Sequence, residues 1–222
     1  MKLTLIILLV SIIFIAGCLT GNTVVDPNDS CSTLEGSQKD NCYLDAGTCS
    51  KIKSEVVRDT CVTELAKKSL NLDVCKLVKG KTTQGYCQSE IAILNKNADS
   101  CDDIENVYWH DNCYNTFALK EEKGEFCGEI FNDKQYMECY MDVALKTNKA
   151  GLCYILNNPD KGICFNKIAQ ATTDVEVCKK IENQLNAEVC IAKIAKLKND
   201  IIICDQLTFG DLRITCREKI NV

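Results

Sequence analysis

From residue 31 onward the apolar positions keep a regular beat. An aliphatic side chain stands three residues after one set of cysteines, at Leu34, Ile52, Val78, Ile104, Ile130, Leu156, Ile181 and Leu207. Another apolar residue stands four after a second set of cysteines. In six places alanine follows it: Leu65-Ala66, Ile91-Ala92, Phe117-Ala118, Val143-Ala144, Ile168-Ala169 and Ile194-Ala195. Spacings of three and four place a cysteine and its apolar companion on one helical face, so the pattern predicts amphipathic helices. Turn-forming stretches separate them, among them Glu35-Gly36-Ser37, Lys79-Gly80-Lys81-Thr82, Asn132-Asp133 and Phe209-Gly210-Asp211 within units, and Asn148 to Gly151 between units. Each unit therefore reads as a helical hairpin, with a short helix around the first cysteine and a longer one starting near the second. The recurring alanine fits a place where two helix backbones approach closely, and it also suits helix propensity.

The cysteines carry the same period. Sixteen lie at Cys31, Cys42, Cys49, Cys61, Cys75, Cys87, Cys101, Cys113, Cys127, Cys139, Cys153, Cys164, Cys178, Cys190, Cys204 and Cys216, and their separations alternate mainly between 12 and 14, a repeat of 26 residues. Pairing them two by two from Cys31 uses all sixteen. In a hairpin those partners lie about equally far from the turn and hence opposite each other. The 14-residue alternative strands Cys31 and Cys216 and sets its partners at either end of a helix rising about 15 Å, beyond the roughly 7 Å that a disulfide spans. Zinc is the rival use of many thiols, but the chain has no C-x2-C pair and a single histidine. A 26-residue hairpin buries too little to offset its own ordering entropy. A bridge of this loop size stabilises by about 3 kcal/mol, largely through the unfolded chain. The predicted fold class is all-α: an α/α solenoid of about eight 26-residue hairpins over residues 31–222, each closed by a disulfide. The 7-residue step from Cys42 to Cys49 marks a shortened first unit, as terminal repeats are often atypical.

The N-terminus follows another rule. Residues 1–17 carry one positive charge at Lys2, an unbroken apolar run from Leu3, and then Ala16-Gly17 before Cys18. That is the layout of a secretory signal. The run falls short of the roughly 20 apolar residues that span a bilayer comfortably, which sets it apart from an uncleaved anchor. Ile15-Ala16-Gly17-Cys18 resembles the lipobox of prokaryotic lipoproteins, and the resemblance implies cleavage before Cys18 and a diacylglyceryl thioether on it. Residues 18–30 then read as a lipidated cysteine and a flexible tether, with a glycosylation-type triplet at Asn28-Asp29-Ser30. The expected localisation is extracytoplasmic, anchored to the cell membrane by a lipid. The oxidising compartment suits disulfides.

Covering Cys31 to Val222, the stapled hairpins resemble the α/α solenoids of the tetratricopeptide and Sel1-like class, especially cysteine-rich Sel1-like proteins. The likeness is architectural, since the repeat here is shorter. It implies a curved stack that binds proteins or peptides.

Charge and chemistry change the picture only locally. Without Lys2 the chain has 25 basic residues against 31 acidic ones, net −6, and no basic stripe, so nucleic acid is not an expected partner. His110 is the sole histidine and is expected in the solvated loop between the two helices of its unit. Asp111, like Asp40 and Asp59, lies two residues before a second cysteine and is expected to sit at the start of its own helix, stabilised by free amides and the dipole. No phosphate loop, H-E-x-x-H helix or G-x-S-x-G elbow is present. Catalytic residues, metal ligands and cofactors are therefore not expected.

Two features remain as candidates for a binding face. Aromatic residues concentrate in the middle units, and Tyr108, Trp109, Tyr114 and Tyr140 are the binding candidates. Tyr114 and Tyr140 also share the position after the second cysteine with Tyr43 and Phe165, where packing between units accounts for them. Residues 99–138 hold eleven acids against three lysines, a solvated face or an attraction for a basic partner or divalent cations. The expected function is a non-catalytic protein- or peptide-binding or scaffolding module. A passive spacer of the cell envelope and a thiol-exchange or hydrolytic envelope enzyme are the alternatives.

Overall fold

A computed structural model describes residues 29–220. The signal segment 1–17, Cys18, Asn28 and nearly all of the tether lie outside the described residues. Among those described, no helix is long and apolar enough to cross a membrane.

The chain is an all-α repeat solenoid. One long helix per unit forms its frame: α1 (Gly36–Asp45), α2 (Glu55–Ser69), α3 (Lys81–Asn95), α4 (Val107–Glu121), α5 (Asp133–Thr147), α6 (Asp160–Thr172), α7 (Gln184–Lys198) and α8 (Gly210–Ile220). Contacts run between sequence neighbours, each long helix packing on the next and on the short segments beside it. The expected short helices are tighter than an α-helix in the middle units: 3₁₀ turns at Cys49–Lys51, Leu72–Leu77, Ala98–Cys101, Gly124–Glu129 and Ala150–Ile155. Single α-turns replace them at Val175–Cys178 and Ile201–Cys204. Such short segments hold their shape through the staple and the packing, because helix nucleation alone is unfavourable.

Eight bridges join the cysteines two by two from Cys31–Cys42 to Cys204–Cys216, with Cα separations of 5.5 to 5.9 Å. Each ties the short segment of a unit to its own long helix. The long helix begins earlier than expected, however. In α2, α3, α4, α5, α7 and α8 the second cysteine is the seventh residue, so the bridge grips near the middle of the longer helices. Sequence cues such as Lys81-Thr82 and Asn132-Asp133 look like turns, but Lys81, Thr82 and Asp133 are first-turn helical residues, with Gly80 and Asn132 as the caps.

The repeated apolar positions form the core. The aliphatic residue three after the first cysteine is buried from Ile52 to Leu207, and Ala66, Ala92, Ala118, Ala144, Ala169 and Ala195 are at most 1% exposed. Each alanine has a second task. Its carbonyl accepts the N–H five residues on, as from Asn71 to Ala66 (3.3 Å) and Lys149 to Ala144 (3.0 Å). The residue just before that donor turns left-handed, at Leu70, Lys96, Glu122, Asn148, Thr173 and Asn199, with φ between 50 and 58°. This is the Schellman ending that usually takes glycine. Leu65 departs from the pattern and is 44% exposed. Helix α1 stops three residues past Cys42, so it has no turn at the level of Leu65 to cover it.

Candidate functional site

The solenoid joins its units through buried carboxylates. Asp40, Asp59, Asp111 and Glu188 all stand two residues before a second cysteine, and all are buried. Each carboxylate accepts two backbone N–H groups from the loop ahead of the next long helix. Asp40 takes those of Lys53 and Ser54, both at 2.9 Å. Asp59 takes Lys79 at 3.2 Å and Gly80 at 2.8 Å. Asp111 takes Phe131 and Asn132, both at 3.0 Å. Glu188 takes Thr208 at 3.0 Å and Phe209 at 2.9 Å, and also accepts the Thr208 hydroxyl. The expectation that Asp111, Asp59 and Asp40 serve the start of their own helices is thus corrected: they neutralise orphan donors of the following unit. The N–H groups of Lys53 and Ser54 hold the Asp40 carboxyl below its usual range. Burial pushes Glu188 up, but the donors from Phe209 and Thr208 outweigh it and leave the carboxyl lowered.

His110 is a second correction. It lies inside α4, is 4% exposed, and is no part of a solvated loop. Its ring stacks on Phe131 at 4.3 Å and 9°, meets Tyr114 edge-on at 5.1 Å, and its Nδ1 is 3.0 Å from Asp111 Oδ1. That carboxylate already holds the next unit, so the imidazole supports a latch under an aromatic lid.

The four aromatic candidates separate in space. Tyr114 is 4% exposed and Tyr140 is also buried, packed between units as core, so neither offers a face to a partner. The Tyr114 hydroxyl donates to Asp102 at 2.6 Å; burial first, and then that carboxylate, push its pKa well above the ordinary phenol value. Trp109 is half-buried: its ring lies 5.0 Å from those of Tyr86 and Tyr108, and its Cδ1 would lie 3.0 Å from a Cβ on Gly85. Tyr108 is 56% exposed. With exposed Val107 and Phe131, the last 69% exposed, it stands at the junction between repeats 4 and 5. A groove of about 380 Å³ there is lined by Val107, Tyr108, Asp111, Asn132 and Gln135. Phe131 belongs to the aromatic concentration of the middle units but is not one of the four candidates, because one residue in a loop breaks no periodicity that would mark it as exposed.

The acidic stretch disperses over the middle units. Lys123 pairs with Glu121 at 2.9 Å, Lys134 with Glu138 at 3.7 Å, and Lys146 with Glu122 at 3.7 Å. Among the described residues no group of three or more His, Cys, Asp or Glu is placed to hold a metal ion. The bridging cysteines are buried throughout, apart from a half-buried Cys42. Eight bridges in 192 described residues fit an oxidising, extracytoplasmic environment. Comparison with family models, with curated proteins and with solved structures finds no match to this chain.

Proposed function

We propose that the chain is a lipid-anchored extracytoplasmic lipoprotein, lipidated at Cys18, whose repeat domain is a non-catalytic binding or scaffolding module for a protein or peptide. The observation that carries this reading is the junction between repeats 4 and 5. Tyr108 and Phe131 are exposed beside a polar groove, on a scaffold tied by two bridges and the Asp111 latch. Large, stiff aromatic groups on a preorganised backbone lose little entropy on binding and supply much apolar area, the makeup of an interaction hot spot. The lipid would keep that surface at the membrane.

A photo-cross-linking residue at position 108, introduced into the full chain in intact membranes, tests the reading. One dominant adduct, reduced by Phe131→Ser, is expected. An adduct pattern unchanged by that substitution, or none, would count against a partner at this junction. Mass analysis of the mature N-terminus should find a diacylglyceryl group on Cys18.

A further inference from the structure

At three junctions the position two before the second cysteine holds no acid: Gly85, Met137 and Gly162 stand there. The three are not alike. A Cβ on Gly85 would lie 2.9 Å from Asn106 Cβ and 3.0 Å from Trp109 Cδ1, so the indole crowds this junction and leaves a smaller groove of about 230 Å³ beside Glu105 and Asn106. Met137 is partly buried against the core. At Gly162 the space is open. An added Cβ would meet only Ile181 Cγ2 within 4 Å, at 3.7 Å, and Gly162 borders a groove of about 570 Å³ between repeats 6 and 7.

The donors are in place on the other side of that groove. Glu182 and Asn183 are the fourth and fifth residues after the first cysteine of their unit, the same places from which Thr208 and Phe209, Phe131 and Asn132, Lys79 and Gly80, and Lys53 and Ser54 reach a carboxylate. Both line the groove, and neither backbone N–H has an acceptor among the described residues. The Glu182 carboxylate is committed to Lys161 and Asn158, each at 2.8 Å, so it does not supply the missing acid. The Asn183 side chain is likewise engaged, accepting from the Asn186 N–H at 2.9 Å as the cap of α7. Residues 161–198 hold seven lysines against four acids, in contrast to the middle units, and the one charged residue lining the groove, Glu182, is paired with Lys161.

We infer that the groove beside Gly162 binds the carboxylate of an acidic side chain on a partner polypeptide, which takes the two backbone N–H groups that Asp40, Asp59, Asp111 and Glu188 occupy elsewhere in the chain. Four internal carboxylates on the equivalent donors show what the geometry accepts, and all four arrive on Asp or Glu side chains. The cavity is also large enough for the residues flanking such a side chain. A charge-assisted bond to a helix-leading N–H pair is stronger than a neutral one. The inference rests on the binding-module reading for the carrier of the carboxylate, but on a different junction from the aromatic surface.

The test is a titration of the isotope-labelled full chain in detergent, following backbone amide resonances. The probes are an Ala-Asp-Ala tripeptide blocked at both ends, its Ala-Asn-Ala counterpart, and an Ala tripeptide with a free C-terminus. The Asp peptide should move the amide protons of Glu182 and Asn183 downfield and saturably, leave Phe131 and Asn132 unmoved, and bind at least about tenfold tighter than the Asn peptide. Gly162→Asp, which supplies the carboxylate from within, should abolish the response, while Gly162→Ala should keep it. No movement at Glu182 and Asn183, equal movement at Phe131 and Asn132, equal binding of the Asn peptide, or a response surviving in Gly162→Asp would each overturn the inference. Preferential binding of the free C-terminus would overturn the side-chain assignment. The wild-type titration decides even if Gly162→Asp fails to fold, and the cross-link at position 108 stands or falls separately.

Discussion

Between repeats 4 and 5 the carboxylate of Asp111 reaches the N–H groups of Phe131 and Asn132; between repeats 6 and 7 Gly162 stands in its place, and the N–H groups of Glu182 and Asn183 border an open groove. Both junctions carry the same bridges on either side and the same buried aliphatic residue, Ile130 or Ile181. The disulfides and apolar stripe therefore suffice to stack two units. The carboxylate is a separate device that seals the polar gap between them. Where it is present the junction is complete within the chain; beside Gly162 the two N–H groups have no acceptor among the described residues.

The largest effect is expected from removing the latch. Asp111→Ala leaves two partly buried N–H groups without their acceptor; at about 1–3 kcal/mol for a fully buried group the pair would cost about 2–6 kcal/mol, and their partial exposure puts the expected loss at the lower end, about 2 kcal/mol. Denaturant unfolding reads this directly, and a loss below about 0.5 kcal/mol would show that the seal contributes little beyond the bridges. The converse substitution is milder. Gly162→Asp should stabilise by about 1–2 kcal/mol by giving the junction of repeats 6 and 7 its own carboxylate, seen as a higher Tm. A fall in Tm would mean that the two junctions differ in more than one side chain.

Acid should release the backbone donors of the sealed junctions, whereas at the open one it reaches only the exposed pair of Glu182 with Lys161. The carboxyls of Asp40 and Glu188 are lowered in the folded protein, so the stability they contribute is complete above their unfolded values of about 4, and it is lost as pH falls through the folded values below that. Measured against each amide's intrinsic rate, hydrogen-exchange protection should accordingly fall at Lys53, Ser54, Thr208 and Phe209 between about pH 4 and pH 2, while Asn183, whose N–H has no carboxylate to lose, should show no such change. The smallest effect lies away from the carboxylates. Lys96 is exposed and left-handed at φ 54°, and Lys96→Gly should stabilise by about 0.5–1 kcal/mol, a gain measurable by thermal unfolding and independent of pH.

Much of this architecture was legible along the chain, and the reason is periodicity. Ile52, Val78, Ile104 and their counterparts recur at fixed offsets from cysteines, so a single argument about helical faces served every unit at once. The shortened first unit was readable from the step between Cys42 and Cys49, and α1 is the shortest of the eight long helices. Helix starts were less legible. Asn132 caps α5 and Asn106 caps α4 through side-chain acceptors, while Asp133 and Val107 already belong to the helices, and a polar residue at such a boundary reads equally well as turn or first turn. His110 was misplaced for the same cause. Glu188 went unremarked beside Asp40, Asp59 and Asp111, although it holds the same position, because one more methylene changed its residue type and left its role intact.

By itself the sequence determined the period, the partners of all sixteen bridging cysteines and the apolar stripe, because each of these joins residues at most about one unit apart and repeats along the chain. Only the tertiary structure decided where the carboxylates point and which aromatic rings face water. An acid two residues before a cysteine is compatible with serving its own helix or the next one. The choice depends on how two units stack, which brings Asp111 within 3.0 Å of donors 20 and 21 residues away while leaving Gly162 facing open space.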